Sequence, residues 1–283
     1  MSLDTIQLRA GRLDDLPVVA AFTQNTFEWG DYITRAWERW VNSERGDLLV
    51  AEIDGVLVGT IHVRYLGQRE AWLEGLRVQP ASRQQGVATT LMQAVHARAR
   101  KKHCRIIHLE TADRNTNARR IFERVGYAQR AQYATFEAKT GAGEIARVRA
   151  AKLSDAETCA QIWQTSRFRQ SARNLVPAAY GWRWCEFSAA RLREAVRARN
   201  VWLTRDARAF MVTRASDSFD VTMIAGPKNR ARELMDAAIH MAHAQGFETL
   251  RWFVVSGAQS AHWAETFGFE PDDTGMLIYE YAL

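Results

Sequence analysis

Cysteine is scarce in this sequence of 283 residues. The three present, Cys104, Cys159 and Cys185, are odd in number, widely spaced and never arranged as Cys-x-x-Cys, which argues against both a disulfide framework and a zinc site. They read as reduced core thiols. No apolar run approaches the roughly 20 residues needed to span a bilayer. The opening stretch, Met1 to Arg9, lacks the basic-then-apolar order of a secretory signal. The expected location is the cytoplasm, without a membrane partner. His240 and His243 share a helical face but have no third ligand in the pattern, so no metal is expected.

What is present is ordinary for a globular protein: 47% hydrophobic and 25% charged residues, with a net charge of +6. The arginines are scattered through both halves without forming a block, and the ten tryptophans sit at core spacing, so no nucleic-acid partner is expected. Two stretches half a chain apart look alike. Leu8 to Asp15 has a counterpart in Val148 to Asp155, and Phe122-Glu123-Arg124-Val125-Gly126-Tyr127 is echoed by Ala264-Glu265-Thr266-Phe267-Gly268-Phe269. Two matches in the same order suggest duplication. The join is expected near Thr140 to Gly143, giving tandem domains over 1–140 and 145–283.

Within the first half, Asp14 or Asp15 can cap a helix running to about Phe27. Tyr32 to Val41 has helical spacing, with Ile33, Trp37, Trp40 and Val41 on one face. Leu48 to Ile53 and Val56 to Tyr65 read as strands around Asp54-Gly55, a dipeptide suited to a type I′ turn because both central residues need positive φ. Ala71 to Val78 is a third strand, Val87 to Lys101 a helix, Arg105 to Glu110 a buried strand and Asn115 to Val125 the last helix. The fold class is therefore α/β with a mixed sheet.

The chemistry concentrates where the strand Trp72 to Val78 runs through Pro80 into Arg83-Gln84-Gln85-Gly86-Val87-Ala88 and an amphipathic helix. A helix start exposes unpaired N–H groups and a partial positive charge, so a pyrophosphate can sit on it if no side chain intervenes. Gly86 and Ala88 keep that approach open, and Arg83 adds charge at the rim. No Gly-x-Gly-x-x-Gly occurs there, so this is not a dinucleotide fingerprint.

This loop, as Arg83-x-x-Gly86-x-Ala88 with Val78-x-Pro80 before it and Leu91 after it, resembles the signature of the GCN5-related N-acetyltransferase superfamily. Asn115 to Tyr127 is similar to the superfamily's Asn-x-x-Ala…Tyr…Gly-Phe helix. The resemblance implies the acyl-CoA N-acyltransferase fold and acetyl-CoA as cosubstrate. It also implies a cofactor site over Leu76, Arg77, Val78, Arg83, Gln84, Gln85, Gly86, Val87, Ala88, Thr89, Asn115, Arg119 and Phe122, with strand backbone near Leu76 on the thioester carbonyl. Position 122 is tyrosine in many members, the general acid; here it is Phe122, and Tyr133 or a water is the substitute.

Strand alternation puts Trp72, Glu74, Leu76 and Val78 on one face and Leu73, Gly75 and Arg77 on the other. Glu74 is the candidate base for the acceptor amine, with a salt-bridged structural glutamate as the alternative. Gly75 permits a bulge that would splay the central strands. Glu28, Trp29, Asp31 and Tyr32 are candidate acceptor residues, able to attract and stack on a cationic amine. Residues 27–90 also look like the vertebrate histidine N-acetyltransferase group, which suggests a free amino acid such as histidine as the primary amine.

The second half keeps the outline without the loop. Gly226-Pro227-Lys228-Asn229-Arg230-Ala231 puts bulky charges where a pyrophosphate should approach, before a helix expected over Arg232 to Gln245. It reads as a degenerate copy that covers or shapes the acceptor site. Tyr180, Trp182, Trp184 and Phe187 read as core or domain interface. The expectation is an N-acetyltransferase acting as monomer or homodimer on a small-molecule amine; the alternative is a CoA-sensing or interaction module without turnover.

Overall fold

The computed structural model describes residues 6–26, 30–67, 69–142, 148–178, 182–272 and 275–283. The chain divides into two compact units, one of residues 1–110, 115–128 and 279–283, the other of residues 111–114 and 129–278.

In chain order the elements up to residue 125 are β1 (Gln7–Ala10), α1 (Leu16–Thr23), α2 (Ile33–Val41), β2 (Gly46–Ile53), β3 (Val56–Tyr65), β4 (Glu70–Val78), α3 (Val87–Lys101), β5 (Ile106–Ala112) and α4 (Thr116–Val125). There follow β6 (Ala128–Lys139), β7 (Val148–Ala150), α5 (Ala156–Thr165), α6 (Arg167–Ser171), β8 (Leu175–Pro177), β9 (Trp184–Glu186) and α7 (Ala189–Arg197). The last are β10 (Val201–Thr204), β11 (Phe210–Ala215), β12 (Phe219–Ala225), α8 (Lys228–Ala244), β13 (Thr249–Val255), α9 (Gln259–Thr266), β14 (Glu270–Pro271) and β15 (Met276–Ala282). Among the described residues no helix is long and apolar enough to cross a membrane.

The first unit is a mixed sheet in the order β1-β2-β3-β4-β5-β15, antiparallel through β4 and parallel from β4 to β5. The β2–β3 hairpin turns on Asp54 and Gly55 at φ 49° and 78°, the two positive values that a type I′ turn demands. Val19 of α1 and Ile33, Trp37 and Trp40 of α2 are buried against Leu48, Val50 and Leu57 on one face. α3 packs on the other face through buried Val87, Leu91, Met92 and Val95. Gly59 of β3 makes that approach possible, since a Cβ there would lie 2.8 Å from Val87 Cγ1. The end of the chain belongs to this unit: the Leu283 N–H donates to the Arg105 carbonyl at 2.8 Å.

The second unit repeats the plan, in the order β6-β13-β12-β11-β10-β7, with β12 and β13 parallel. The internal repeats are bonded alike. Arg9 grips Asp15 at 2.7 Å while the Arg12 N–H donates to that carboxylate, and Arg149, Asp155 and Lys152 make the same bonds. Gly126 and Gly268 end α4 and α9 at φ 101° and 85°, and the next N–H, of Tyr127 or Phe269, returns to the carbonyl five residues back.

Candidate active site

β4 carries one extra residue opposite β3. His62 faces Glu74 and Thr60 faces Arg77, so two steps along β3 match three along β4. The irregularity centres on Gly75, at φ +66°, where a Cβ would lie 2.6 Å from Trp40. A bulge shifts the phase of alternation beyond it. Arg77 consequently lies on the face of Glu74, not on the opposite face as uninterrupted alternation requires.

That face holds a connected polar cluster. His62, fully buried and stacked on Trp40 at 4.7 Å, has Nδ1 3.0 Å from Glu74 Oε1. An ionised Glu74 requires that nitrogen to donate. His62 is thus one partner of Glu74. Arg77 binds Asp31 through Nε at 2.7 Å and Nη2 at 3.2 Å, and also donates to the Leu76 carbonyl at 2.9 Å. The Asp31 side chain is only 1% exposed, and it also accepts the Ile33 N–H at 3.1 Å. Asp31 is therefore a neutralised helix-start residue instead of a free anion for an amine, and Arg77 is committed to it. Tyr32 accepts the Gly75 N–H, and Arg77 lies 5.5 Å over its ring. Burial pushes the Tyr32 hydroxyl up to about 12. Glu28 and Trp29 lie outside the described residues.

β4 and β5 pair only through Glu70 with Ile106, Ala71 with Ile107 and Trp72 with His108, and then part. The end of β4 leads through a short turn at Pro80–Ser82 to the loop. Gln84 and Gly86 have φ +65° and +85°, Gly86 occupies the N-cap of α3, and a Cβ on Gly86 would meet nothing within 4 Å. Among the described residues, no group accepts a hydrogen bond from the N–H groups of Gln84 to Thr89. Residues 83–86 are exposed, and Ala88 and Thr89 are half-buried. Successive N–H groups in such a conformation, ahead of a helix of 15 residues, fit an anionic phosphate. Arg83 is exposed beside them, with only a 3.4 Å bond to the Val78 carbonyl.

Asn115 caps α4 by accepting the Ala118 N–H at 3.2 Å, which leaves its amide donors out of the cap. Phe122 is buried, 6.0 Å from the Tyr279 ring. The Tyr279 hydroxyl donates to Glu123 at 2.8 Å and receives Arg119 Nε at 3.4 Å.

Residues 16–127 match the model of the acetyltransferase (GNAT) family. That segment is a GNAT acetyltransferase domain. Solved structures of the same fold include a GCN5-related N-acetyltransferase from Sphaerobacter thermophilus, with TM-score 0.65 and 12% identity over 98% of this chain and 95% of that one. Another, from Kribbella flavida, gives TM-score 0.55 and 18% identity over 99% of this chain and 72% of that one. A tandem GNAT protein from the clavulanic acid biosynthesis pathway gives TM-score 0.57 and 12% identity over 98% of each chain.

The matched segment holds the bulge, Glu74 and the loop Arg83 to Gly86. Tyr133, the expected substitute proton donor, is described by its own contacts. It belongs to the second unit, is 3% exposed and donates its hydroxyl to the Leu175 carbonyl at 2.8 Å. Burial raises its pKa far above the ordinary tyrosine range, so its proton is held for structure. In the second unit the corresponding turn is closed. α8 begins at Lys228, four residues ahead of the expected start, and Gly226 packs so closely that a Cβ would lie 2.4 Å from Ala209. Arg230 is spent on Asp206 and Glu233. Trp184 is fully buried beside Tyr133 and Phe253, which makes it core, whereas Trp182 is 42% exposed. Tyr180 lies outside the described residues.

One site residue escaped sequence reasoning. His62 stands between Ile61 and Val63, a polar residue inside an apolar strand, and that contrast was the available signal. Glu110 of β5 is half-buried between Leu109 and Thr111. Burial pushes its carboxyl up to about 7.

Proposed function

We propose that the protein transfers the acetyl group of acetyl-CoA to the primary amine of a small molecule in the cytoplasm. The observation that carries this is the exposed loop Arg83 to Gly86 opening onto the unpaired N–H groups of α3, beside strands that part after Trp72 and His108. Gln84 to Thr89 and Arg83 would hold the pyrophosphate, and Leu76, Val78, Asn115, Arg119 and Phe122 would flank the rest of the cosubstrate. The thioester supplies an activated acetyl group. Glu74, held by His62, removes a proton from the amine. A free amino acid such as histidine is the class suggested by the likeness of residues 27–90.

Gly86→Glu tests the reading by calorimetric titration with CoA. An anionic side chain at a φ of +85° faces the phosphates directly, and binding is expected to vanish. Unchanged affinity in the folded variant would overturn the assignment of the loop. Phe122, which has no proton to give, favours a second reading in which the protein binds CoA without turnover. A thiol-release assay over amino acids, polyamines and peptides separates the two. Loss of an acid need not stop transfer, because a thiol with pKa ~8.5 leaves tolerably as thiolate.

A further inference from the structure

One end of the first unit's sheet is built from segments far apart in sequence. The start of β2, the β3–β4 turn and the α3–β5 turn meet there. The Tyr65 N–H donates to the Arg45 carbonyl at 2.9 Å, and the Arg105 N–H to the Arg69 carbonyl at 2.7 Å. The Lys102 ammonium lies 5.9 Å over the Tyr65 ring. β4 runs nine residues from this end toward the loop at Arg83, which places the two about 25–30 Å apart.

Charge collects at this end. Residues 43–47, 64–70 and 98–105 contain eight lysines and arginines against three acids, an excess of five in a chain whose net charge is +6. Arginines that look scattered along the sequence are thus gathered by the fold. Of the acids, Glu70 is buried, and Asp47 accepts the Tyr65 hydroxyl at 2.5 Å and lies 3.5 Å from Arg98. Arg45, Arg69, Lys101 and Arg105 are exposed, and none has an ion pair among the described residues. The end of a helix carries roughly half a negative charge, which explains one cation in the last turn of α3 but not this group.

What the surface lacks narrows its partner. Among the described residues of these segments no large apolar side chain is exposed, so there is no anchor for a protein core or a lipid interior. Neither nearby tyrosine offers a free face: Lys102 covers Tyr65, and Tyr281 is stacked on His96 at 4.0 Å. The bases of a single strand would find nothing to stack on. Guanidinium and ammonium groups are donors only, suited to phosphate oxygens, and give the 2′-hydroxyl that marks RNA no dedicated acceptor.

We propose that this end of the first unit binds the phosphate backbone of double-stranded DNA without reading its sequence. The cations contact phosphates and release the counterions condensed on them, which supplies the affinity. The surface is separate from the loop at Arg83 and does not rest on the acetyl-transfer reading.

The test is fluorescence anisotropy of a labelled random-sequence DNA duplex, titrated with the full chain at several salt concentrations. Binding is expected at micromolar protein in low salt, with log Kd rising against log salt at a slope of about 4 to 6. Combining Arg69→Gln, Lys101→Gln and Arg105→Gln is expected to weaken binding at least ~10-fold and to take about 3 from that slope. Combining Arg193→Gln, Arg197→Gln and Arg208→Gln removes the same charge from exposed positions of the second unit. That variant is expected to stay within about twofold of wild type, because local charge and not net charge does the binding. Circular dichroism checks that both variants are folded. Absence of duplex binding in low salt overturns the proposal, as do equal losses in the two variants. Tighter binding of a single strand or of an RNA duplex also overturns it. So does retention on vesicles of phosphatidylserine and phosphatidylcholine without duplex binding, which would reassign the surface to anionic lipid.

Discussion

The Tyr32 hydroxyl accepts the Gly75 N–H at 3.1 Å and so ties the start of α2 to the bulge of β4. Tyr32→Phe leaves that N–H without its acceptor, and a lost partner at a buried group costs about 1–3 kcal/mol. Gly75→Ala is expected to cost more than ~2 kcal/mol, because it combines a positive φ with a contact on the rigid Trp40 ring. Urea denaturation of both variants checks the order, and a Gly75→Ala protein as stable as wild type would contradict the bulge geometry.

Glu74→Gln is expected to keep the fold, since an amide oxygen can still accept from His62 Nδ1. It is expected to lose roughly 100-fold in kcat/KM by removing a base. Steady-state kinetics check this, and an unchanged rate in Glu74→Gln removes that residue from the reaction.

Features set by local chemistry were legible in the sequence. Asp54-Gly55 announces its turn because only residues tolerant of positive φ fit there, and Val87 to Lys101 is observed as a helix with the expected bounds. The loop before that helix was readable for the same reason. Gly75 marked the bulge, yet its consequence for Arg77 was missed, because strand alternation holds only while the ladder is unbroken. Partners distant along the chain were not readable at all. The bond of Tyr133 to Leu175 and the closure of the first unit by residues 279–283 are properties of folded neighbours, and no local spacing encodes them.

Arg83→Ala is expected to weaken CoA binding by about 3- to 10-fold, the range of an exposed charge beside a phosphate. The effect should shrink in high salt, because screening acts on exposed charges. Stability should not change, since Arg83 is exposed and makes only the long bond to Val78. Calorimetric titrations at low and high salt check this, and a salt-independent loss would indicate that the variant distorts the loop.

His96 makes acid stability a property of α3. It is 3% exposed, stacked on Tyr281 at 4.0 Å and 3.0 Å from the Tyr127 hydroxyl. Burial, helped by Arg100, lowers its pKa from 6.5 to about 4. The folded protein therefore keeps this ring neutral where the unfolded chain protonates it. Between pH about 6.5 and about 4 the unfolded state binds more protons, so stability must fall as pH falls through that window. The contribution is on the order of 2 kcal/mol. His96→Phe removes the titrating group and keeps an aromatic ring against Tyr281. Urea midpoints at pH 8, 6.5 and 5, taken at ~25 °C, are expected to decline less steeply in the variant than in wild type. Equal slopes would show that His96 is protonated inside the fold or that other groups control acid unfolding.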